Sequence, residues 1–79
     1  MNLVIGKLYL ITSVFPRGLV SDRDYYSEGI GVLLSVLYHN DIVLILDEDR
    51  GSLKVLTSDG IFGHTSSYES DTWQLVEAI

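Results

Sequence analysis

The sequence predicts a small all-β domain made of short antiparallel strands. Val, Ile, Tyr and Thr, which pack well on a pleated surface, are common, whereas Ala, the best helix former, occurs once, at Ala78. Short apolar segments alternate with segments rich in Gly, Asp and Ser, which form turns. The chain of 79 residues has the length of one domain, so we expect residues 1–79 to fold as a single unit.

The first half of the chain predicts one strand, a long loop and a second apolar segment. Residues 3–11 are typical of a strand in which Gly6 marks a bulge or a close backbone approach. Residues 13–29 contain several turn formers and predict a long connecting loop. Residues 30–37 are apolar; their β-branched residues favour a strand, while Leu33, Leu34 and Leu37 would share the face of a short helix, which remains the alternative.

The second half predicts two linked hairpins and a closing strand. Residues 47–52 are polar and include Gly51, so they predict a six-residue hairpin loop between two strands. Asp59-Gly60 is a strong turn signal before a third strand. The expected elements are strands over residues 42–46, 53–57 and 61–64, a 3₁₀ turn within residues 68–72, and a last strand over residues 73–76.

Composition excludes several classes of function. The chain has no cysteine, so disulfides and cysteine-rich zinc sites are excluded and its 47% of hydrophobic residues must form the core unaided. Its net charge of −6 disfavours binding to a phosphate backbone. It has neither the apolar length of a membrane span nor an N-terminus of the secretory type, so we expect a protein that is not secreted and does not span a membrane.

The predicted order of elements is similar to that of an SH3-like barrel, and the chain resembles the small SH3-like barrel proteins of tailed bacteriophages. The resemblance lies in Ile-Gly-Lys-Leu-Tyr at 5–9, Gly-Ile-Gly-Val-Leu at 29–33, Lys-Val-Leu-Thr-Ser-Asp-Gly-Ile-Phe-Gly-His at 54–64, and Leu-Val-Glu at 75–77. It implies five to six antiparallel strands, a long first loop and a 3₁₀ turn before the last strand. One departure is that residues 30–37 and 42–46 are both apolar where such proteins usually have a single hairpin, which indicates an extended hairpin or an insertion.

The resemblance also implies an accessory protein that docks on something larger, in the host cytoplasm or the virion, with no catalytic residues and no cofactor. The sequence agrees with this, since no group of residues meets the requirements of a catalytic site. An EF-hand starting at Asp47 would need glycine where Ser52 stands and glutamate where Ser58 stands. His39 and His64 lack a spacing that defines a nucleophile and an orienting third group.

We therefore predict a non-catalytic protein-interaction module, or a protein that assembles with itself, without direct contact to nucleic acid or membrane. An acidic inhibitor of a host nucleic-acid enzyme is the alternative, and a small metal-binding protein using Asp47, Asp49 and His64 is a further one. SH3-like barrels commonly line their binding groove with rings. The candidate partner-binding residues are Tyr25, Tyr26, Tyr68, Trp73, Arg17 and Arg23.

Five of these six candidates have a competing interpretation. Arg17 and Arg23 can simply offset the charges of Asp22 and Asp24, and this is the favoured interpretation of the two arginines. Trp73 is also the bulky ring that a small core needs, and this favours a buried position. Tyr25 and Tyr26 are adjacent and would point to opposite faces of an extended backbone, so only one of them can be core. The apolar segments 3–5 and 75–76 are additional candidates, as edge strands that accept a strand from a partner.

Overall fold

The computed structural model describes residues 3–21, 32–68 and 70–76, which form one antiparallel sheet of seven strands. The elements are β1 (Leu8–Leu10), β2 (Arg17–Val20), β3 (Leu33–Leu37), β4 (Ile42–Asp49), β5 (Ser52–Thr57), β6 (Phe62–Ser66), a 3₁₀ turn (Ser70–Thr72) and β7 (Gln74–Val76). The strand order is β3-β2-β6-β5-β4-β1-β7, and within the described residues the two outer strands do not pair to close the sheet. The predicted all-β class is confirmed, with seven strands rather than the expected five to six.

The additional strand is β2, which lies inside the segment expected to be a long loop. It pairs with β3 along its length and meets β6 at Val20 and His64. Leu19 and Val20 are buried, so their burial in the sheet overrides the loop signal of the neighbouring Pro16 and Gly18. The expectation of a continuous loop over residues 13–29 is therefore wrong for β2, and its residues 22–29 lie outside the described residues.

The start of the chain is a turn rather than a continuous strand. The N–H of Lys7 donates to the carbonyl of Val4, and Gly6 has a φ of 88°. The Gly6 N–H donates to the Ile45 carbonyl at 2.7 Å, but a Cβ at Gly6 would meet nothing within 4 Å, so the positive φ favours glycine here and the expected close backbone approach is absent. The strand itself begins only at Leu8, later than the sequence predicted.

The apolar segment before residue 38 forms a strand, not a helix. β3 pairs antiparallel with β2 over residues 33–37, and residues 30 and 31 lie outside the described residues. The turn that follows is held by the Tyr38 N–H, which donates to Oδ2 of Asp41 at 2.8 Å. Asn40 has a φ of 74°, a conformation that asparagine tolerates better than most residues.

The hairpin of β4 and β5 has a two-residue loop instead of the predicted six-residue one. Arg50 and Gly51 have φ values of 52° and 82°, as a type I′ turn requires at both central positions. Asp47 and Asp49 therefore belong to β4, where polar side chains are compatible with an outward-facing position. A bulge at Leu46 divides β4 into a half that pairs with both β1 and β5 and a half that pairs with β5 alone.

The end of the chain follows the prediction closely. Gly60, with a φ of 84°, lies in the turn between β5 and β6. The expected 3₁₀ turn is present, and the Ser70 hydroxyl donates to the Ser67 carbonyl at its start. β7 then pairs with β1, which brings the two ends of the described chain together.

The core lies against one face of the sheet, because alternate residues of the strands point towards it. Its buried members are Tyr9, Ile11, Leu19, Leu37, Val43, Ile45, Leu53, Val55 and Trp73. Gly63 is also buried, and a Cβ there would lie 2.6 Å from the Val20 carbonyl oxygen. This glycine allows β2 to approach β6, so it positions the β2–β3 hairpin on the rest of the sheet.

Candidate binding surface

Two of the predicted partner-binding residues meet at the surface. The guanidinium carbon of Arg17, on β2, lies 5.5 Å from the ring centroid of Tyr68, which precedes the 3₁₀ turn. This distance is within the range of a cation–π contact. The Tyr68 side chain is 69% exposed, so the structure presents this ring to solvent beside a cationic group. The partner-binding role of the pair remains a prediction.

Trp73 lies in the core, as its competing interpretation indicated. It is 5% exposed, and its indole N–H donates to the Ser13 hydroxyl at 2.9 Å. The hydroxyl of Thr12, next to Ser13, donates to the carbonyl of Thr72, and this hydrogen bond links the segment after β1 to the 3₁₀ turn. A side chain in this position stabilises the domain and offers little surface to a partner. Tyr25, Tyr26 and Arg23 lie outside the described residues.

The residues proposed for metal binding share one face of the sheet but do not form a metal cluster. Asp47 pairs with Lys54 across β4 and β5, and Lys54 pairs with His64 across β5 and β6. The lysine therefore lies between the acid and the histidine and places a positive charge where a cation would have to bind. Within residues 3–21, 32–68 and 70–76, no group of three or more histidines and acids could hold a metal ion.

Two pockets lined by described residues are small. One, between β3 and the start of β4, has a volume of about 40 Å³ and includes Asp41 and Asp59 in its lining. Another, over Lys54 and His64, has about 20 Å³. Binding sites for small molecules typically measure about 300–1,000 Å³, so either pocket has room for little more than water.

A row of apolar side chains lies on the face of the sheet opposite the core. Leu8 pairs with Val76 on one side and with Leu44 on the other. Leu44 pairs with Leu56, and Leu56 with Phe62. Directly opposed residues of antiparallel strands point to the same face, so the five form one line across β7, β1, β4, β5 and β6. We call this line the outer apolar row.

Solvent reaches the outer apolar row most freely at Leu8, which is second from one end, and at Phe62, which forms the other end. Leu8 is 42% and Phe62 58% exposed, while Leu44, Leu56 and Val76 are half-buried between their neighbours. The ammonium group of Lys54 lies 5.3 Å from the centroid of the Phe62 ring. Five strands at a spacing of about 4.8 Å give the row a length of about 19 Å.

The strands at the centre of the outer apolar row are apolar on both faces. β1 reads Leu-Tyr-Leu, and the first five residues of β4 read Ile-Val-Leu-Ile-Leu. Strands with one face in water alternate apolar and polar residues, whereas continuous apolar runs are typical of strands covered on both faces. Val43 and Ile45 fill the core, and Ile42 and Leu44 point the other way. The lack of alternation in β4 is therefore the sequence signal for this surface. The candidate binding residues were sought in loops and on edge strands, so this signal did not contribute to their selection.

Acidic side chains border the outer apolar row. Asp47 occupies the next outward position of the β4–β5 ladder beyond Leu44 and Leu56. Asp59 lies in the turn that joins the strands of Leu56 and Phe62, and Asp41 precedes Ile42. Asp49 follows further along β4 and lies 3.9 Å from the exposed Arg50. The apolar line is thus flanked at both ends of β4 by carboxylates, in a chain whose net charge is −6.

Comparisons with known proteins found no family model that matches the chain, and no match among the curated proteins or the solved structures. In the described parts of the chain, no helix is long and apolar enough to cross a membrane.

Proposed function

We propose that this protein is a non-catalytic interaction module that docks onto a larger assembly, such as a virion component or a host complex. The outer apolar row is the observation that carries the proposal. Its side chains are held on a paired sheet, so they are presented in a fixed arrangement. When a partner covers this apolar face, the removal of apolar surface from water stabilises the complex by about 25 cal/mol for each Å² buried.

A further exposed apolar side chain lies beside the row. Ile42 points to the same face as Leu44 on β4 and is 40% exposed. Contiguous apolar patches on small domains commonly mark sites of protein contact.

We further propose that the sheet is of the SH3-like type and that the protein is phage-encoded. Four features of the fold support the first point: a hairpin of β2 and β3 after the first strand, β4 shared between β1 and β5, a 3₁₀ turn before the last strand, and pairing of the last strand with the first. The phage origin is supported by the sequence resemblance alone. Fold does not determine function, so the interaction role is argued from the surface.

Affinity purification from native lysate, with the tagged full-length chain as bait, tests the proposal. We expect the subunits of one large complex to co-purify and to sediment with the bait far above its own 8.8 kDa. Purification at low and at high salt separates electrostatic from apolar contributions to the contact. A monomeric bait that captures no complex at either salt concentration would contradict the interaction role.

A further inference from the structure

We propose that the outer apolar row binds a protein surface that is apolar at its centre and rich in Lys and Arg at its borders. This inference rests on the interaction function proposed above and assigns it a surface and a partner chemistry. The apolar part follows from the lack of alternation in β4, and the basic borders follow from the charges around the row.

The acidic border argues for a cationic partner. Asp47 and Asp59 lie beyond the row on opposite sides of Leu56 along the β5 hairpins, and Asp41 lies beside Ile42. A partner that covers the apolar side chains brings its own border close to these three residues, of which Asp47 already lies opposite Lys54 on β5. At such distances opposite charges attract and like charges oppose binding, and the surrounding apolar surface lowers the local dielectric.

The same charges argue against a second copy of this chain as the partner. Face-to-face packing of two identical rows would bring carboxylates of one copy towards those of the other, between chains that each carry a net charge of −6. Lys54, a half-buried cation on this face, already contacts Phe62. Two copies therefore lack the complementarity that a basic partner supplies.

The dimensions of the row define a practical probe. A helix rises about 1.5 Å per residue, so an amphipathic helix of about 14 residues spans the estimated 19 Å length of the row. Two synthetic peptides of this length would carry the same leucines at i, i+3, i+4 and i+7, with lysine at the other positions in one and glutamate in the other. They differ in the sign of their charge and share one apolar face.

The experiment titrates the full chain with each peptide and maps the contact by backbone amide NMR shifts. We expect the lysine peptide to bind at least about tenfold more tightly at low salt. We expect the largest shifts at Leu8, Leu44, Leu56 and Phe62. Equal affinity for the two peptides, or shifts centred on the β2–β3 hairpin, would overturn the proposal.

A matched pair of variants distinguishes binding at the outer apolar row from nonspecific binding to exposed apolar side chains. Phe62→Thr removes a ring that is 58% exposed on the row, and Phe15→Thr makes the same change at a ring that is 72% exposed outside it. We expect Phe62→Thr to weaken binding of the lysine peptide about tenfold or more and Phe15→Thr to leave it nearly unchanged. Equal losses in both variants, or a dimer of the free chain that Phe62→Thr dissociates, would overturn the assignment.

These outcomes are distinct from failure of the interaction function itself. A chain with Phe62→Thr that still captures its complex, while one with Tyr68→Ala does not, would retain the function and move the contact to the Arg17–Tyr68 surface. Absence of any captured complex with the unmodified chain would contradict the interaction function instead.

Discussion

Replacing Gly63 with alanine is expected to separate β2 from β6. The new Cβ would lie 2.6 Å from the Val20 carbonyl oxygen and 3.1 Å from carbons of Leu19 and Leu34. An ordinary carbon–oxygen contact measures about 3.3 Å or more, so the strands must part by about 0.7 Å. A shift of that size lengthens an interstrand hydrogen bond of about 2.9 Å to about 3.6 Å, beyond the range of a hydrogen bond.

The expected loss of stability is about 2 kcal/mol. Overpacking of this kind costs about 1–3 kcal/mol. The upper end of this range applies here, because the new Cβ meets the Val20 backbone rather than a mobile side chain. The lower entropy of alanine in the unfolded chain offsets about 0.4–1 kcal/mol of the strain. For a domain of this size we expect the melting temperature to fall by about 10 °C or more.

Urea denaturation followed by tryptophan fluorescence measures this effect. Trp73 is the chain's single tryptophan and is buried, so its emission reports unfolding. Gly18→Ala is the matched control, because its Cβ would meet only the terminal Cδ1 of Leu33 at 3.1 Å. A Gly63→Ala variant whose free energy of unfolding equals that of Gly18→Ala would refute the close approach of β2 to β6.

Two further changes test local features of the fold. Ser13→Ala removes the acceptor of the buried Trp73 indole N–H, so we expect the free energy of unfolding, measured by urea denaturation, to fall by about 1–3 kcal/mol. The same substitution in a Trp73→Phe background is the control, and tyrosine emission follows unfolding in both. An equal loss of unfolding free energy in the two backgrounds would contradict this role of Ser13. Arg50→Asn places the favoured Asn-Gly pair in the type I′ turn beside Gly51, so we expect the melting temperature to rise by a few degrees. A lower melting temperature would contradict the turn assignment.

Residue patterns predicted the second half of the fold better than the first. Asp59-Gly60 and the polar segment before Trp73 determine local conformation, so the turn and the 3₁₀ segment are found where expected. β2 is different, because Gly18 and the preceding Pro16 are turn formers. Its strand conformation depends on pairing with β3 and β6, distant segments that a local pattern does not reveal.

The candidate surface could be predicted only in part. Tyr68 and Arg17 were identified from residue type, and the fold places them in contact. The outer apolar row depends on the register of five strands, and register is not visible in the sequence. The apolar run at the start of β4 is typical of a strand covered on both faces, but only the pairing with β1 and β5 shows that its second face lies outside the core.

The most direct test of the docking account compares capture of a complex from native lysate by three tagged chains: the unmodified protein, Phe62→Thr and Phe15→Thr. Quantitative mass spectrometry would give the amount of each captured subunit relative to the bait. We expect one complex that the unmodified chain and Phe15→Thr capture equally and that Phe62→Thr loses, and we expect the captured subunits to present a basic surface. Undiminished capture by Phe62→Thr would contradict docking through the outer apolar row.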